Sequence, residues 1–101
     1  MSASSRRKGL KGEQEVARIL RESGSEVRGL ETSGDWLVMY TDRQEWHVEV
    51  KRQERPRYAE WWKQARAEAP ADCVPVIAWR QDRGEWMAFL PLVDLVAAVS
   101  G

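Results

Sequence analysis

The stretch Glu49-Val50-Lys51 sets opposite charges two residues apart in a segment that otherwise reads as a β-strand. Side chains alternate across a strand, so Trp46, Val48 and Val50 share one face and His47, Glu49 and Lys51 the other. Thirteen residues separate Asp35 from Glu49, which places Asp35 at the head of the preceding strand-like run. A three-residue turn at Asp42-Arg43-Gln44 would pair Thr41 with Glu45 and Leu37 with Glu49. Asp35 would then lie opposite Lys51, with Glu49 its diagonal neighbour. A two-residue loop would shift that register by one and put Asp35 on the other face. A further carboxylate, Glu13, falls on one helical stripe with Val16, Ala17 and Leu20, while Glu15 and Glu22 point the other way. Glu13 therefore faces inward, where a carboxylate needs a reason. Carboxylates converging beside an ammonium make an acidic pocket that holds a hard divalent cation through oxygen ligands, with magnesium the natural candidate. Such an ion polarises a phosphodiester oxygen and acidifies a bound water, while the lysine positions that water or neutralises developing charge. Phosphodiester hydrolysis needs that set.

The elements that must position these groups follow from periodicity. Apolar residues at spacings of three and four predict an amphipathic helix from about Lys8 to Ser23, ended by Gly24. Ser25 to Glu31 and Asp35 to Thr41 read as strands broken at Thr32-Ser33-Gly34, and Glu45 to Lys51 returns as the third. Tyr58, Trp61, Trp62 and Ala65 predict a helix over Arg57 to Glu68, stopping before Pro70. Val74 to Arg80 and Glu85 to Leu90 are strands joined by a turn at Asp82-Arg83-Gly84, and Leu92 to Val99 is a short terminal helix. The order α-β-β-β-α-β-β-α indicates an α/β fold with a mixed sheet flanked by helices.

Gly34-Asp35 followed by Glu49-Val50-Lys51 resembles the D-(x)n-ExK signature of the PD-(D/E)xK nuclease superfamily, with Gly34 where that family usually has proline. Lys8-Gly9 and then Glu13-Gln14-Glu15, with Val16, Ile19 and Leu20, is similar to the opening of archaeal-type Holliday junction resolvases and their phage relatives. The resemblance covers roughly residues 6 to 90 and extends to the order of elements. It implies a restriction-endonuclease-like fold and a magnesium-dependent endonuclease, manganese substituting, in which Glu13, Asp35, Glu49 and the Val50 carbonyl hold metal. It also implies Lys51 as the catalytic lysine, Ser33 (or Thr32) as an aid to cutting from the loop before Asp35, and Gln64 reaching the site from the following helix.

Each residue also has an ordinary reading. A Glu-Lys face on a strand is often only solvated, Gly-Asp is common turn chemistry, and Glu13 could sit at a helix boundary. His47 shares the face of Glu49 and reads as a part-buried, hydrogen-bonded histidine before it reads as an auxiliary ligand or base. One of Trp61 and Trp62 at least should be core, the other stacking on DNA or packing at an interface, and Cys73 is read as structural. Basic residues supply a phosphate footprint in two groups: Arg6, Arg7, Lys8 and Lys11 on an N-terminal arm at about residues 1–8, and Arg52, Arg55, Arg57, Lys63 and Arg66 beyond Lys51. Glu54, Glu60 and Glu68 interleave the second group, so the arm is the cleaner signal.

Composition bounds the rest. At 101 residues we expect a single nuclease domain, and sixteen basic against sixteen acidic residues give no net charge to advertise a partner. One cysteine excludes an intrachain disulfide and, in effect, a structural zinc site, which fits a reducing cytoplasmic compartment. The opening MSASSRRKG lacks an apolar core after its basic residues, and no window approaches a membrane span. Six tryptophans exceed what one small core normally holds, which hints at a partner surface. Paired nicks in a two-fold four-way junction call for two active sites, hence a homodimer on branched DNA, recognised by shape and backbone. Other cutting of the same superfamily (flaps, nicks or linear duplex) and a non-catalytic DNA-binding module are the alternatives.

Overall fold

The computed structural model describes residues 3–29, 36–41 and 44–100, with backbone alone for 3–10 and Trp36. Its elements are α1 (Ala3–Glu22), β1 (Glu26–Gly29), β2 (Trp36–Thr41), β3 (Gln44–Lys51), α2 (Tyr58–Glu68), β4 (Cys73–Trp79), β5 (Met87–Phe89) and α3 (Leu92–Ser100). Their order is the one that periodicity predicts. The strands form one mixed sheet in the order β1-β2-β3-β4-β5, antiparallel except for the parallel pair β3 and β4. A parallel pair needs a crossover, and α2 supplies it. No described helix is long and apolar enough to cross a membrane.

Helix α1 starts at Ala3, so the backbone of Arg6, Arg7 and Lys8 lies in its first turns and not in a separate arm. Arginine and lysine are good helix formers, and no proline stands in the way, so the amphipathic segment propagates toward its N-terminus. At the other end Gly24 takes a φ of +94°, while the Ser25 N–H donates to Leu20 O at 3.1 Å and the Gly24 N–H to Arg21 O at 3.0 Å. This paired capping motif needs a residue free to adopt the left-handed region. Gly12 answers a different demand, close approach: a Cβ there would lie 2.9 Å from Arg52 Cγ and 3.3 Å from Trp86 Cη2.

The sheet buries both faces. On one, Val16 and Ala17 of α1 pack against Val27, Leu37, Trp46, Val48, Val76 and Ala78. On the other, Trp61 and Ala65 of α2 pack against Ile77, with Trp62, Trp79 and Phe89 around them. Edge-on contacts from the Tyr58 ring to those of Trp61, Trp79 and Phe89 extend this second core. Trp46 and Trp86 thus serve the first core and Trp61, Trp62 and Trp79 the second. Pro75 lies in β4 outside the part that β5 covers, where a missing ladder N–H costs least.

The β2–β3 register departs from the three-residue turn. Thr41 pairs with Gln44, so two residues separate the strands, and Leu37 pairs with Val48 where the longer turn would have matched it to Glu49. Two causes are visible. Gln44 is drawn into β3, its Nε2 donating to Glu45 O at 3.0 Å and to Asp72 O at 2.9 Å. The observed register also sends Leu37 and Met39 to the α1 face with Trp46 and Val48, whereas the longer turn would set Leu37 among the charges of the opposite face. The pairing on which the alignment of Asp35 with Lys51 rested is not the one that forms.

Candidate active site

Strand β3 alternates as its sequence predicts, but neither face is solvated. Trp46, Val48 and Val50 face α1, and His47 and Glu49 face the α2 side, each only 1% exposed. Burying a carboxylate this far is costly unless it is paired or bound. The His47 Nε2 lies 3.1 Å from Glu49 Oε1, and among the described residues the buried Glu49 Oε2 has no hydrogen-bond donor.

The remaining neighbour of Glu49 comes from the last turn of α2. Glu68 brings its carboxylate to the same point, and one ligand atom from each of His47, Glu49 and Glu68 lies within 4.8 Å of the others. Glu68 is itself exposed and held by Gln64, whose Nε2 donates to Glu68 Oε1 at 3.0 Å. Burial raises the Glu49 pKa above the usual carboxylate range, the contact with His47 opposes this, and Glu68 adds to it. The Gln64 hydrogen bond, then the contact with Glu49, draws Glu68 down. When the two carboxylates share a proton, Glu49 therefore holds it and the exposed Glu68 keeps the charge. Lys51, half-buried on the same face, acts electrostatically on both.

Glu68 was missed as a site residue and weighed only as an acidic interruption of a basic cluster. Its signal was present: it follows Trp61 and Ala65 at spacings of four and three, so it lies in line with the two buried residues of α2, at the helix end. Gln64, which the resemblance implies at the site, contacts Glu68 one turn further along α2. His47, expected part-buried and hydrogen-bonded, is hydrogen-bonded and fully buried.

Glu13 is buried, as the stripe with Val16 and Ala17 requires. It belongs, however, to the α1 side, where the neighbouring Gly12 sits over Val50, whereas Glu49 faces α2. Among the described residues Glu13 is not part of the ligand cluster around Glu49. Val50 likewise directs its side chain to the α1 core. Ser33, Thr32 and Asp35 lie outside the described residues.

Glu15 was expected to face away from the sheet, yet it organises a polar network. Its Oε2 accepts from Arg80 Nη1 at 3.0 Å and from Trp86 Nε1 at 2.9 Å, and Arg52 Nη1 lies 3.9 Å from its Oε1. Arg52 also donates to Asp82 Oδ1 at 3.0 Å, and its side chain is only 10% exposed. Arg52 thus ties α1 to the β4–β5 connection and is not presented to a phosphate. Lys11, Arg55, Arg57 and Lys63 are exposed, and Arg57 lies 3.6 Å from Glu60 in a solvent-screened pair. No protein-family model matches the chain, and no curated protein matches it.

Proposed function

We propose that the chain is a metal-dependent, structure-selective DNA endonuclease of restriction-endonuclease-like fold that resolves four-way junctions by paired nicks. The observation that carries this reading is Glu49, a wholly buried carboxylate with one oxygen lacking a hydrogen-bond donor, two residues from Lys51 on the same strand face. A fold gains nothing in packing from that arrangement, and local rules broken at a cost are characteristic of functional sites. The buried, donorless oxygen suits a cation; among the described residues Glu13 stands outside the cluster around Glu49, and Asp35 lies outside the described residues. When bound, magnesium, or manganese in its place, would supply a Lewis acid and an acidified water. The chain's own part is to hold Glu49 rigid on β3, exclude water from its buried side and set the Lys51 ammonium where negative charge develops on a phosphoryl oxygen.

Substrate contact falls to the exposed cations Lys11, Arg55, Arg57 and Lys63, with Arg6, Arg7 and Lys8 on the first turns of α1. None of these forms a base-reading motif, so recognition rests on backbone charge and branched shape and weakens steeply with salt. A second copy would meet the first through α3, in which no residue is buried and Leu92, Val93 and Val99 are 73%, 73% and 77% exposed. Arg66 and Asp94 flank the adjoining groove over Trp62 and Phe89. A two-fold axis there sets each arginine against the partner copy's aspartate.

The reading is tested by incubating a labelled immobile four-way junction and a linear duplex of the same sequences with wild type and Asp35→Ala in magnesium. Symmetric paired nicks in the junction alone, lost in the variant, are expected. Equal cutting of both substrates contradicts junction selectivity, and tight binding without cutting favours a non-catalytic module.

A further inference from the structure

Two carboxylates, Glu49 and Glu68, meet beside Nε2 of His47, and the pair lacks a donor for the buried Glu49 Oε2. A shared proton satisfies such a pair only in part, and Lys51 acts on both from alongside. The three donors come from rigid elements: His47 and Glu49 are two residues apart on β3, inside the sheet, and Glu68 is on the terminal turn of α2. A divalent ion binds oxygen and nitrogen ligands at about 2.0–2.2 Å, so ligand atoms around one centre stand roughly 3–4 Å apart. One ligand atom from each of the three already lies within 4.8 Å of the others, and the exposed Glu68 is the side chain freest to adjust.

We propose that His47, Glu49 and Glu68 form a binding site for a divalent first-row transition ion, manganese or zinc, in preference to magnesium. An imidazole nitrogen among two carboxylate oxygens sets the preference, because magnesium seeks an all-oxygen octahedron and imidazole favours the transition ions. Two ligands are buried and the third is exposed, which leaves an open side where water completes the coordination, the pattern of a reactive rather than a closed structural site. Gln64 supplies the outer support by orienting the Glu68 carboxylate at 3.0 Å. Binding through Nε2 breaks the present contact of that nitrogen with Glu49 Oε1 and leaves the imidazole proton on Nδ1. The site shares Glu49 with the nuclease reading but needs neither Glu13 nor Asp35, and it exists without DNA.

The chain contains one histidine, so its imidazole nitrogen signals report the site directly. Nitrogen-15 NMR of the DNA-free full chain, titrated with zinc, is expected to shift the His47 Nε2 resonance until one equivalent is bound, while excess magnesium leaves it in place. Glu68→Gln, an exposed substitution that leaves the fold intact, should weaken binding about tenfold or more, and Glu13→Gln should not. Competition by manganese, followed by its free-ion electron paramagnetic resonance signal, should give the same ranking of variants. An unmoved His47 signal at saturating zinc, or wild-type affinity in Glu68→Gln, overturns the proposal. Zinc binding in a chain that cuts no DNA retains this site and removes the nuclease reading. Magnesium-dependent cutting with an unmoved His47 does the reverse.

Discussion

Glu49 and Glu13 are both buried carboxylates, yet they are buried for different faces of the sheet, and Glu49 has the buried oxygen without a donor. What separates them is the element each belongs to, which composition does not reveal. The lone cysteine gives a simpler test of local electrostatics. Cys73 Sγ lies 3.5 Å from Glu45 Oε2, and burial first, then that carboxylate, pushes the thiol pKa up. The thiolate is the reactive form, so a raised pKa moves reactivity to higher pH. Alkylation by iodoacetamide at pH 8 should be slower than that of a free peptide thiol, and Glu45→Gln should partly restore it. Equal rates for Cys73 and the peptide thiol would contradict the assignment.

Between the residues and the sheet stand the caps and close approaches. The end of α1 depends on a left-handed residue at Gly24, with nothing within 4 Å of where its Cβ would be, so the cost of a side chain there is conformational alone. Gly24→Ala should lower stability by about 1 kcal/mol in urea unfolding, without change in cleavage. A substitution at Gly12 differs in kind, because the Cβ meets Arg52 and Trp86 and shifts the helix that carries Glu13 and Glu15. Much at this level was legible in the sequence. The two-faced pattern of β3, the inward Glu13 and the stop at Gly24 all follow from local periodicity and turn chemistry. The β2–β3 register did not follow, because it is decided by where Leu37 and Met39 find cover and by the tie from Gln44 to Asp72. Glu15 and Arg52 were misread for a related reason. Helical phase describes which way Glu15 points, but its partners Arg80 and Trp86 are 65 and 71 residues away in sequence.

For the whole molecule, the sheet is clothed by α1 on one face and α2 on the other, and α3 is the apolar element left uncovered. Exposed apolar surface of this kind is a standing cost in water, and the proposed dimer would cover it. Sedimentation equilibrium at micromolar concentration should show a dimer, and Leu92→Glu combined with Val96→Glu should give a folded monomer. Exchanging Arg66 and Asp94 together should preserve the dimer better than reversing either alone. A wild-type chain that sediments as a monomer would remove α3 from the interface.

The decisive comparison is single-turnover cleavage of a four-way junction by wild type and Glu49→Gln, with thermal unfolding of both proteins recorded in the same buffer. The substitution keeps the shape and the contact with His47 while removing a group that must ionise in the core to bind a cation. Loss of the paired nicks with a melting temperature unchanged or a few degrees higher is expected, since relief of about 1 kcal/mol moves the midpoint by roughly 4–8 °C in a domain of this size. Nicking at the wild-type rate by Glu49→Gln would contradict a catalytic role for this carboxylate and leave it a feature of the core.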